Sequence, residues 1–409
     1  MYESIQACRL CESTDLKPVL SLGRTPLADA LLSEEQLKQP EVVFPLEVVF
    51  CPECGLMQIT ETVSPEVLFC REYPYYSSFS DALLKHSREN ALGLIESRKL
   101  NANSLVVELA SNDGYLLKNF VEKGIPVLGI DPAEGPARAA QQAGVPTLCT
   151  FFGEALAQQL RAEGRQADVI IANNVLAHVP DLKGFVRGIR TLLKETSVAV
   201  IEVPYAKDLV DHCEFDTIYH EHLCYFTITS LNHLFRRHSL FLNDVKRLKI
   251  HGGSVRLFVE KNENVQDAVK EHLANEKAEG ADRIEYYRDF AARVQNIRES
   301  LRKLLGGLKR EGKRIAAYGA AAKGSTLINY VDISKDWVDF VVDRNTHKQG
   351  RYMPGKHWPI LDPAHLVKEM PDYVLLLSWN FADEILKQQE LYRQKGGKFI
   401  VPIPEVRVV

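Results

Sequence analysis

Strand-like and helix-like segments alternate along this chain from residue 104 onward, and this alternation constrains the fold most. Each short apolar segment is followed by a segment with helical spacing, such as residues 134 to 143. The apolar segments read SLVVELA, IPVLGIDP, ADVIIANNVLAHV and SVAVIEVPY. Later in the chain, HSLFLNDVKRLKI and SVRLFVEKN are predicted to form a closing pair of strands. Repeated strand–helix units predict an α/β fold with a parallel sheet, right-handed crossovers and helices on both faces.

A second, smaller α/β module is predicted near the end of the chain. Residues 262 to 312 are charged, with apolar residues at helical spacing, which predicts one or two connecting helices. RIAAYGAAAKGSTLINYV then begins a new strand, glycine loop and helix, and the further strands read WVDFVVDRN, DYVLLLSW and KFIVPIP. A length of 409 residues exceeds one ordinary core, so two or three domains are expected.

The charge balance excludes partners that bind by electrostatics alone. Fifty Lys and Arg residues against 54 Asp and Glu residues give a net charge of −4, with no long run of either sign. This balance argues against nucleic-acid and membrane partners. The apolar stretches are strand-sized, and the start MYESIQACRLCE lacks the pattern of a signal peptide. We therefore expect a cytoplasmic protein, with a monomer as the working expectation.

Four cysteines form two CxxC knuckles, which are listed here as Cys8, Cys11, Cys51 and Cys54. Two such knuckles complete a tetrahedral four-sulfur shell suited to Zn²⁺. The 39 residues between them exceed the usual zinc-ribbon spacing of roughly 15–20, so the insert must be an ordered excursion. A redox role fits less well, because thioredoxin-like motifs are single. Four thiolates leave no open position, so a structural zinc is expected.

The loop after the first strand of the central module lacks the GxGxxG pattern of dinucleotide sites. It carries Glu108 and Asp113, which would repel a pyrophosphate but not a ligand with a positive sulfonium and amino group. Asp131 ends the next strand, where an acidic residue takes ribose hydroxyls. The pair fits S-adenosylmethionine better than NAD. An ordinary βα turn, with Asp131-Pro132 as its opener, is the simpler alternative.

The loop Tyr318 to Thr326 has the opposite character, since small residues surround Lys323. Backbone amides, a lysine and hydroxyls at a helix start make a plausible cradle for a phosphate or diphosphate. The loop lacks the order GxxxxGK[ST], so ATP hydrolysis is not expected. Small residues also permit tight helix–strand packing, which is the alternative explanation.

The run Tyr219-His220-Glu221-His222 places four proton-carrying side chains beside aromatic residues that indicate burial. In an extended strand, Tyr219 and Glu221 would face one way and the two histidines the other, whereas a local turn would relax this conflict. Half of a metal site is a poor alternative, because the run lacks HExxH spacing. An imidazole suits a general base at neutral pH, so His222 is the candidate base and His220 the member least expected to touch substrate.

Taken in order, these motifs resemble the sugar C-methyltransferases that act on nucleotide-linked 4-keto-deoxyhexoses. The motifs are CRLC with CPECG, VVELASNDGYLL, NNVLAH, YHEHLCYFT, HGGSVR and YGAAAKGST. The resemblance implies a zinc-binding domain (1–66), a central class I, Rossmann-like methyltransferase domain (67–262) and a smaller C-terminal Rossmann-like domain (263–409). It also implies methyl transfer from S-adenosylmethionine to C3 of a 4-keto-6-deoxyhexose, through an enolate. The sugar would be linked to dTDP or GDP.

Three groups of residues are expected in the site from this resemblance and from the loops. The catalytic group is Tyr76, His178, Tyr219, Glu221 and His222. The cofactor-binding group is Glu108, Ala110, Asn112, Gly114, Leu116, Asp131, Pro132, Asn173 and Asn174. The acceptor-binding group is Tyr75, Tyr76, Ser77, Gly319, Lys323, Gly324 and Ser325.

Several of these roles have alternatives. Glu221 is expected to orient an imidazole or hold a sugar hydroxyl, and Tyr219 with Tyr76 to donate to the enolate oxygen. His178 is equally explicable as a capping or core histidine, and the aromatic patch around Tyr75 as plain packing between domains. Two other functions compete: a nicotinamide-dependent oxidoreductase acting on a nucleotide sugar, and a zinc-knuckle nucleic-acid-binding protein. The missing GxGxxG pattern disfavours the oxidoreductase, and the acidic charge balance disfavours the nucleic-acid-binding protein.

Overall fold

The structure, a computed structural model, describes residues 2–69, 76–248 and 253–409. The strands are β1 (Tyr2–Ser4), β2 (Lys17–Thr25), β3 (Phe44–Phe50), β4 (Met57–Ile59), β5 (Glu61–Val63), β6 (Val106–Leu109), β7 (Val127–Asp131), β8 (Thr147–Cys149), β9 (Ala167–Asn173), β10 (Leu193–Pro204), β11 (Cys224–Tyr225), β12 (Phe241–Leu248), β13 (Ser254–Glu260), β14 (Ile315–Tyr318), β15 (Val341–Val342), β16 (Ile360–Leu361), β17 (Tyr373–Leu376), β18 (Lys398–Val401) and β19 (Arg407–Val408). The helices are α1 (Pro65–Phe69), α2 (Asp81–Ser97), α3 (Lys118–Val121), α4 (Glu134–Gln142), α5 (Glu154–Ala162), α6 (Leu182–Leu192), α7 (Ala206–Asp211), α8 (Ile228–Arg237), α9 (Asp267–Glu279), α10 (Ile284–Arg310), α11 (Ala322–Tyr330), α12 (Ala364–Glu369), α13 (Ala382–Gln388) and α14 (Glu390–Gln394).

The central sheet confirms the α/β fold predicted from the alternating pattern. Its strand order within the described residues is β12-β13-β10-β9-β6-β7-β8. Strands β10, β9, β6, β7 and β8 pair in parallel, whereas β13 is antiparallel to both of its neighbours. The chain order reverses between β6 and β9, and ligands of open α/β sheets bind outside the carboxyl ends of the strands at such a point.

The C-terminal sheet repeats this plan on a smaller scale, in the order β16-β15-β14-β17-β18-β19. Its strands pair in parallel except β19, and its order reverses between β14 and β17. The predicted connecting helices are α9 and α10, and α10 buries an apolar stripe that includes Phe290, Val294 and Leu301. A second switch point therefore lies where the loop after β14 meets the loop after β17.

The N-terminal module is a small sheet in which the cysteine cluster is built at one end. Its strand order is β11-β4-β3-β2, so one strand, β11, comes from the chain just after the Tyr219–His222 run. The Sγ atoms of Cys8 and Cys54 are 3.6 Å apart, and all four cysteine sulfurs lie within 4.8 Å of one another. Tetrahedral Zn²⁺ with Zn–S bonds of about 2.3 Å spaces its sulfurs by about 3.8 Å. The predicted four-sulfur cluster is therefore confirmed, and its geometry fits zinc.

Two predicted elements are shorter in the structure than the sequence indicated. Of the helix expected after Asn112, only α3 is regular, because the preceding residues form tighter turns. In these turns the Asn119 N–H donates to the Leu116 carbonyl at 3.1 Å. The strand expected from WVDFVVDRN is only β15, since its neighbour β16 offers just two residues to pair with. The predicted strand pair was centred on His251 and Gly252, and these two residues lie outside the described residues.

No helix in the described part of the chain is both long enough and apolar enough to cross a bilayer.

Replacing Cys54 with serine removes one of four thiolate ligands. We expect Cys54→Ser to lose most of its bound zinc and to melt at a lower temperature, because such sites contribute folding free energy. Metal analysis and thermal denaturation of the purified protein measure both effects. Cys149→Ser, which changes an exposed thiol outside the cluster, is the matched control. A full complement of zinc in Cys54→Ser would contradict the assignment.

Candidate active site

One cavity of about 860 Å³ is lined by the carboxyl edges of both parallel sheets and by the N-terminal module. Most of the residues expected in the site from the sequence meet there. Those that line the cavity are Ser77, Ala110, Asn112, Asp131, Pro132, Asn173, Asn174, His178, Tyr219, Glu221, His222 and Lys323. The strand edges bring them together, because side chains and loops at the ends of parallel strands share one edge of a sheet.

Other expected residues lie behind the cavity wall and support it. Leu116 is fully buried in the apolar core of the central module. Gly114 occupies a left-handed turn (φ +77°), where an added Cβ would meet Val145 at 3.0 Å. Gly324 packs α11 so closely on the end of β17 that a Cβ would lie 2.8 Å from Leu377 Cβ. For Gly324, tight helix–strand packing is therefore the explanation that the geometry favours.

Three more of the expected residues that the structure describes also lie away from the cavity lining. The Tyr76 hydroxyl lies against Gly135, 2.7 Å from where a Cβ would stand, and its ring stacks on His347. Gly319 adopts φ +98° beside Ser378, and Ser325 is 2% exposed. Tyr75 lies outside the described residues.

Glu108 is a buried carboxyl at the end of β6, behind the cavity wall. Burial raises its pKa well above the usual range, and the nearby carboxylate of Asp131 raises it further. Its Oε2 atom has no hydrogen-bond partner among the described residues. Burial therefore favours the protonated, uncharged form of Glu108 over the carboxylate.

The run Tyr219-His220-Glu221-His222 is a turn, closed by a hydrogen bond from the His222 N–H to the Tyr219 carbonyl at 2.9 Å. The turn removes the conflict that strand alternation would have imposed, and Tyr219, Glu221 and His222 all line the cavity. His220 points the other way, with Nε2 2.9 Å from the Pro45 carbonyl of the N-terminal module.

The hydrogen bonds of His222 determine which nitrogen carries its proton. Nδ1 lies 2.8 Å from the Thr217 carbonyl oxygen, which can only accept. In the neutral ring Nδ1 therefore carries the proton, and Nε2 keeps its lone pair. The Tyr219 hydroxyl lies 3.0 Å from Nε2 and donates to it. In the neutral tautomer, the Nε2 lone pair of His222 thus accepts a hydrogen bond from the phenol of Tyr219.

His178 contacts His222 edge to face, with ring centroids 4.7 Å apart. It sits in a single short turn after β9, with its ring against the cavity. Burial lowers the pKa of His178 to about 4, so this ring is neutral throughout the neutral pH range. Its Nδ1 atom has no hydrogen-bond partner among the described residues.

The backbone that forms the cofactor end of the cavity is unusual. Ala110, Asn112 and Asn174 all have positive φ values of 49° to 56°, a conformation that L residues rarely adopt. Asp131 fixes the loop, because its Oδ2 accepts from the Asn112 N–H and its Oδ1 from the Ala133 N–H, both at 2.8 Å. Such conformations cluster at ligand sites, where the surrounding structure holds them in place.

Asn112 also joins this loop to the segment after the N-terminal module. Its Oδ1 accepts a hydrogen bond from the Ser77 N–H at 2.9 Å. Ser77 is 5% exposed and lines the cavity beside Asn112. Ser77 is therefore part of the cavity wall beside the loop that carries Asn112.

Lys323 carries the positive charge at the C-terminal end of the cavity. Its ammonium lies 4.6 Å from the centroid of the Trp379 ring, a cation–π contact. Trp379 Nε1 in turn donates to Asp216 Oδ2 at 2.7 Å. Burial raises the pKa of Asp216 to about 6, while Lys323 opposes this shift. The lysine is thus held by an aromatic ring and a buried acid.

Several cavity-lining residues carry no signal in the sequence that would have identified them. Asp29 comes from the loop after β2, Lys348 from the loop after β15, and Glu214 from the turn after α7. Phe381, 45% exposed, is an apolar residue on the same wall. Phe151 follows β8, so its position after a strand end was the only available clue.

Glu214 is 6% exposed. Between about pH 4.5 and 8, its carboxyl holds a proton in the folded chain that the unfolded chain would release. Burial raises its pKa to about 8 from an ordinary value of 4.5, with Lys323 opposing and Asp216 adding to the shift. The native state therefore binds the proton more tightly. Its contribution to stability is fully present below about pH 4.5 and is lost as the pH rises towards 8.

Glu214→Gln should flatten part of the pH dependence of stability. Relative to this variant, the free energy of unfolding of the wild type should fall by up to about 1.4 kcal/mol per pH unit between pH 5 and 8. Urea unfolding at four pH values within that window measures the difference. Glu285→Gln, at an exposed carboxylate on α10, is the control and should track the wild type. Parallel curves for wild type and Glu214→Gln would refute the shift.

Comparison with known proteins places this site in a family. Residues 8–69 match the family described as "Putative zinc binding domain", residues 80–240 match "Methyltransferase domain", and residues 249–404 match "C-methyltransferase C-terminal domain". The C-methyltransferase NovU of Streptomyces niveus is 37% identical over 408 residues, covering 99% of this chain and 97% of that protein.

Two solved structures resemble the chain over less than half its length. An S-adenosylmethionine-dependent methyltransferase from Clostridium acetobutylicum is 14% identical with a TM-score of 0.36, covering 44% of this chain and 92% of its own. The 1,6-didemethyltoxoflavin-N1-methyltransferase of Burkholderia thailandensis is 20% identical with a TM-score of 0.34, covering 46% and 81%. From its three matched segments and its full-length relative, the chain belongs to the S-adenosylmethionine-dependent C-methyltransferase family, with S-adenosylmethionine as methyl donor and a four-cysteine zinc site.

Proposed function

We propose that this C-methyltransferase methylates C3 of a nucleotide-diphosphate 4-keto-6-deoxyhexose, through an enolate. The observation that carries the proposal is the neutral His222 ring, whose Nε2 lone pair faces the cavity beside a phenol. A carbon becomes nucleophilic when a base removes a proton next to a ketone. The family activity requires such a carbon, and a 4-keto sugar offers one at C3.

His222 acts as the general base in this proposal. Its Nδ1–H is fixed on the Thr217 carbonyl, so the ring cannot rotate without losing that hydrogen bond. Nε2 therefore points to one place, and it takes the C3 proton there. An imidazole matches proton abstraction at neutral pH. His178, neutral beside it, adds no positive charge that would disfavour protonation of His222.

Tyr219 supplies the hydrogen bond that the developing enolate needs. In the structure its hydroxyl donates to His222 Nε2. When the sugar occupies the cavity, the same hydroxyl turns to the C4 oxygen and frees Nε2 for the C3 proton. A hydrogen bond aimed at developing charge in a water-poor cavity is a large contributor to catalysis.

The methyl group is supplied by S-adenosylmethionine as an electrophile: the new C–C bond forms as the C–S bond breaks, the ketone is restored, and S-adenosylhomocysteine leaves. Asp131, Asn112 and Ala110, which line the cavity at the carboxyl edge of the central sheet, would hold the donor in this proposal. Lys323, which lines the cavity from the C-terminal module, would pair with the diphosphate of the acceptor. Holding both substrates in one cavity with His222 would supply the alignment that methyl transfer needs.

His222→Asn should abolish methyl transfer and the exchange of the C3 proton with deuterium from solvent. Loss of the base stops enolisation, which precedes methyl transfer, while S-adenosylmethionine should bind with unchanged affinity. NMR of the acceptor in deuterated water and isothermal titration measure these effects. His220→Asn is the matched control, since the His220 ring faces Pro45 instead of the cavity. The folded His220→Asn protein should therefore still transfer the methyl group. Normal exchange in His222→Asn would rule out His222 as the base.

A panel of 4-keto-6-deoxy sugars linked to dTDP or GDP tests the substrate itself. We expect one nucleotide series to yield a product in which a methyl group has replaced a hydrogen atom. NMR should locate this new methyl group at C3. The corresponding 4-hydroxy sugars should give no product, since they lack the ketone that acidifies C3. Tight NAD(H) binding without S-adenosylmethionine binding would instead support an oxidoreductase and contradict the proposal.

A further inference from the structure

Three charged side chains meet in the cavity from three different modules. Asp29 comes from the N-terminal module, Glu221 from the catalytic turn and Lys348 from the C-terminal module, and all three line the cavity. Lys348 is fixed, because its Nζ donates to the Ala320 carbonyl at 2.7 Å. The proposed reaction uses the turn that carries Glu221, but it leaves Asp29 and Lys348 without a role.

Neither Asp29 nor Glu221 has a side-chain hydrogen bond or ion pair within the described residues. Glu221 is 7% exposed, whereas Asp29 is half-buried. A buried carboxyl such as that of Glu221 costs about 1–3 kcal/mol when it has no partner. Native proteins tolerate that cost where a ligand supplies the missing partner, and both carboxyls face a cavity large enough to hold one.

The electrostatics indicate what that ligand must offer. Burial raises the pKa of Glu221 well above its usual range, the charge of Asp29 raises it further, and Lys348 opposes both. Burial also raises the pKa of Asp29, again with Lys348 opposing. Two coupled carboxyls whose pKa values are both raised favour a state in which they share a proton. Their remaining oxygen lone pairs accept hydrogen bonds.

We propose that Asp29 and Glu221 form a single subsite, which accepts hydrogen bonds from the hydroxyl or amino substituent that C3 of the acceptor sugar carries. This inference rests on the proposed function, and it assigns acceptor binding to a residue of the zinc-binding module. Two substituents have the required chemistry, a hydroxyl and an ammonium. The hydroxyl binds with the shared proton in place, whereas the ammonium replaces that proton.

Asp29→Asn tests the subsite, because the amide keeps the size of the side chain and removes its charge. We expect the KM for the acceptor to rise about tenfold, as for the loss of a charged hydrogen bond, while kcat changes less than threefold. The Kd for S-adenosylmethionine and the zinc content should stay unchanged. Measuring acceptors with a 3-hydroxyl and a 3-amino group separates the two ligands, since the amino sugar should lose more.

Glu41→Gln is the matched control for loosened packing between modules. Glu41 belongs to the same module and reaches the C-terminal module, where Oε2 accepts from the Gly355 N–H at 2.8 Å and contacts His357 at 3.1 Å. It does not line the cavity, so the acceptor KM of Glu41→Gln should match the wild type.

The double variant Asp29→Asn/Glu221→Gln tests whether the carboxyls act as one subsite. If they share one ligand, the double variant should raise the acceptor KM by much less than the product of the two single effects. An unchanged acceptor KM in Asp29→Asn, a multiplicative double variant, or a raised Kd for S-adenosylmethionine would each overturn the subsite. A wild type that methylates no 4-keto sugar would instead overturn the proposed function, so the two failures are distinct.

Discussion

The peptide of Leu223 ties the catalytic turn to two modules at once. Its N–H donates to the Ala177 carbonyl at 2.8 Å, beside His178 in the central module. Its carbonyl accepts from the Ile59 N–H at 3.1 Å, in the N-terminal sheet. The residue before it is His222, so the position of this histidine, the base in our proposal, depends on both contacts. The cysteine cluster belongs to the module whose sheet the turn contacts, so the cluster also influences where His222 lies.

Burial shapes the charge of the cavity more than any ion pair does. It lowers the pKa of His178 to about 4 and raises that of Glu214 to about 8, so both groups are neutral at pH 7. Neutral walls keep the local dielectric low, and a hydrogen bond from Tyr219 is stronger there than in water. Lys323 and Lys348 remain as positive groups at the C-terminal side of the cavity. The proton transfer that we propose would take place beside these neutral groups, with the two lysines available to an anion.

The sequence predicted regular elements well where the apolar pattern was periodic and poorly where local winding intervened. The strands that the apolar pattern predicted in both sheets, and the long helix α10, lie where the pattern placed them. The short strands β8, β16 and β19 were not predicted. The helix after Asn112 was overestimated, since tight turns of the cofactor loop continue through Leu117. Gly324 shows a different limit: a glycine for close packing and a glycine for a phosphate look alike in a sequence.

The sequence by itself determined the α/β class, the two cysteine knuckles and the run from Tyr219 to His222, because these depend on periodicity and spacing along the chain. Only the tertiary structure decided how that run is used. The turn sends His220 into the N-terminal module and His222 into the cavity, and the Thr217 carbonyl selects the tautomer of His222. Asp29 and Lys348 stand 319 positions apart and meet only in space. Contacts between distant segments follow from how the modules pack, and no local pattern encodes that.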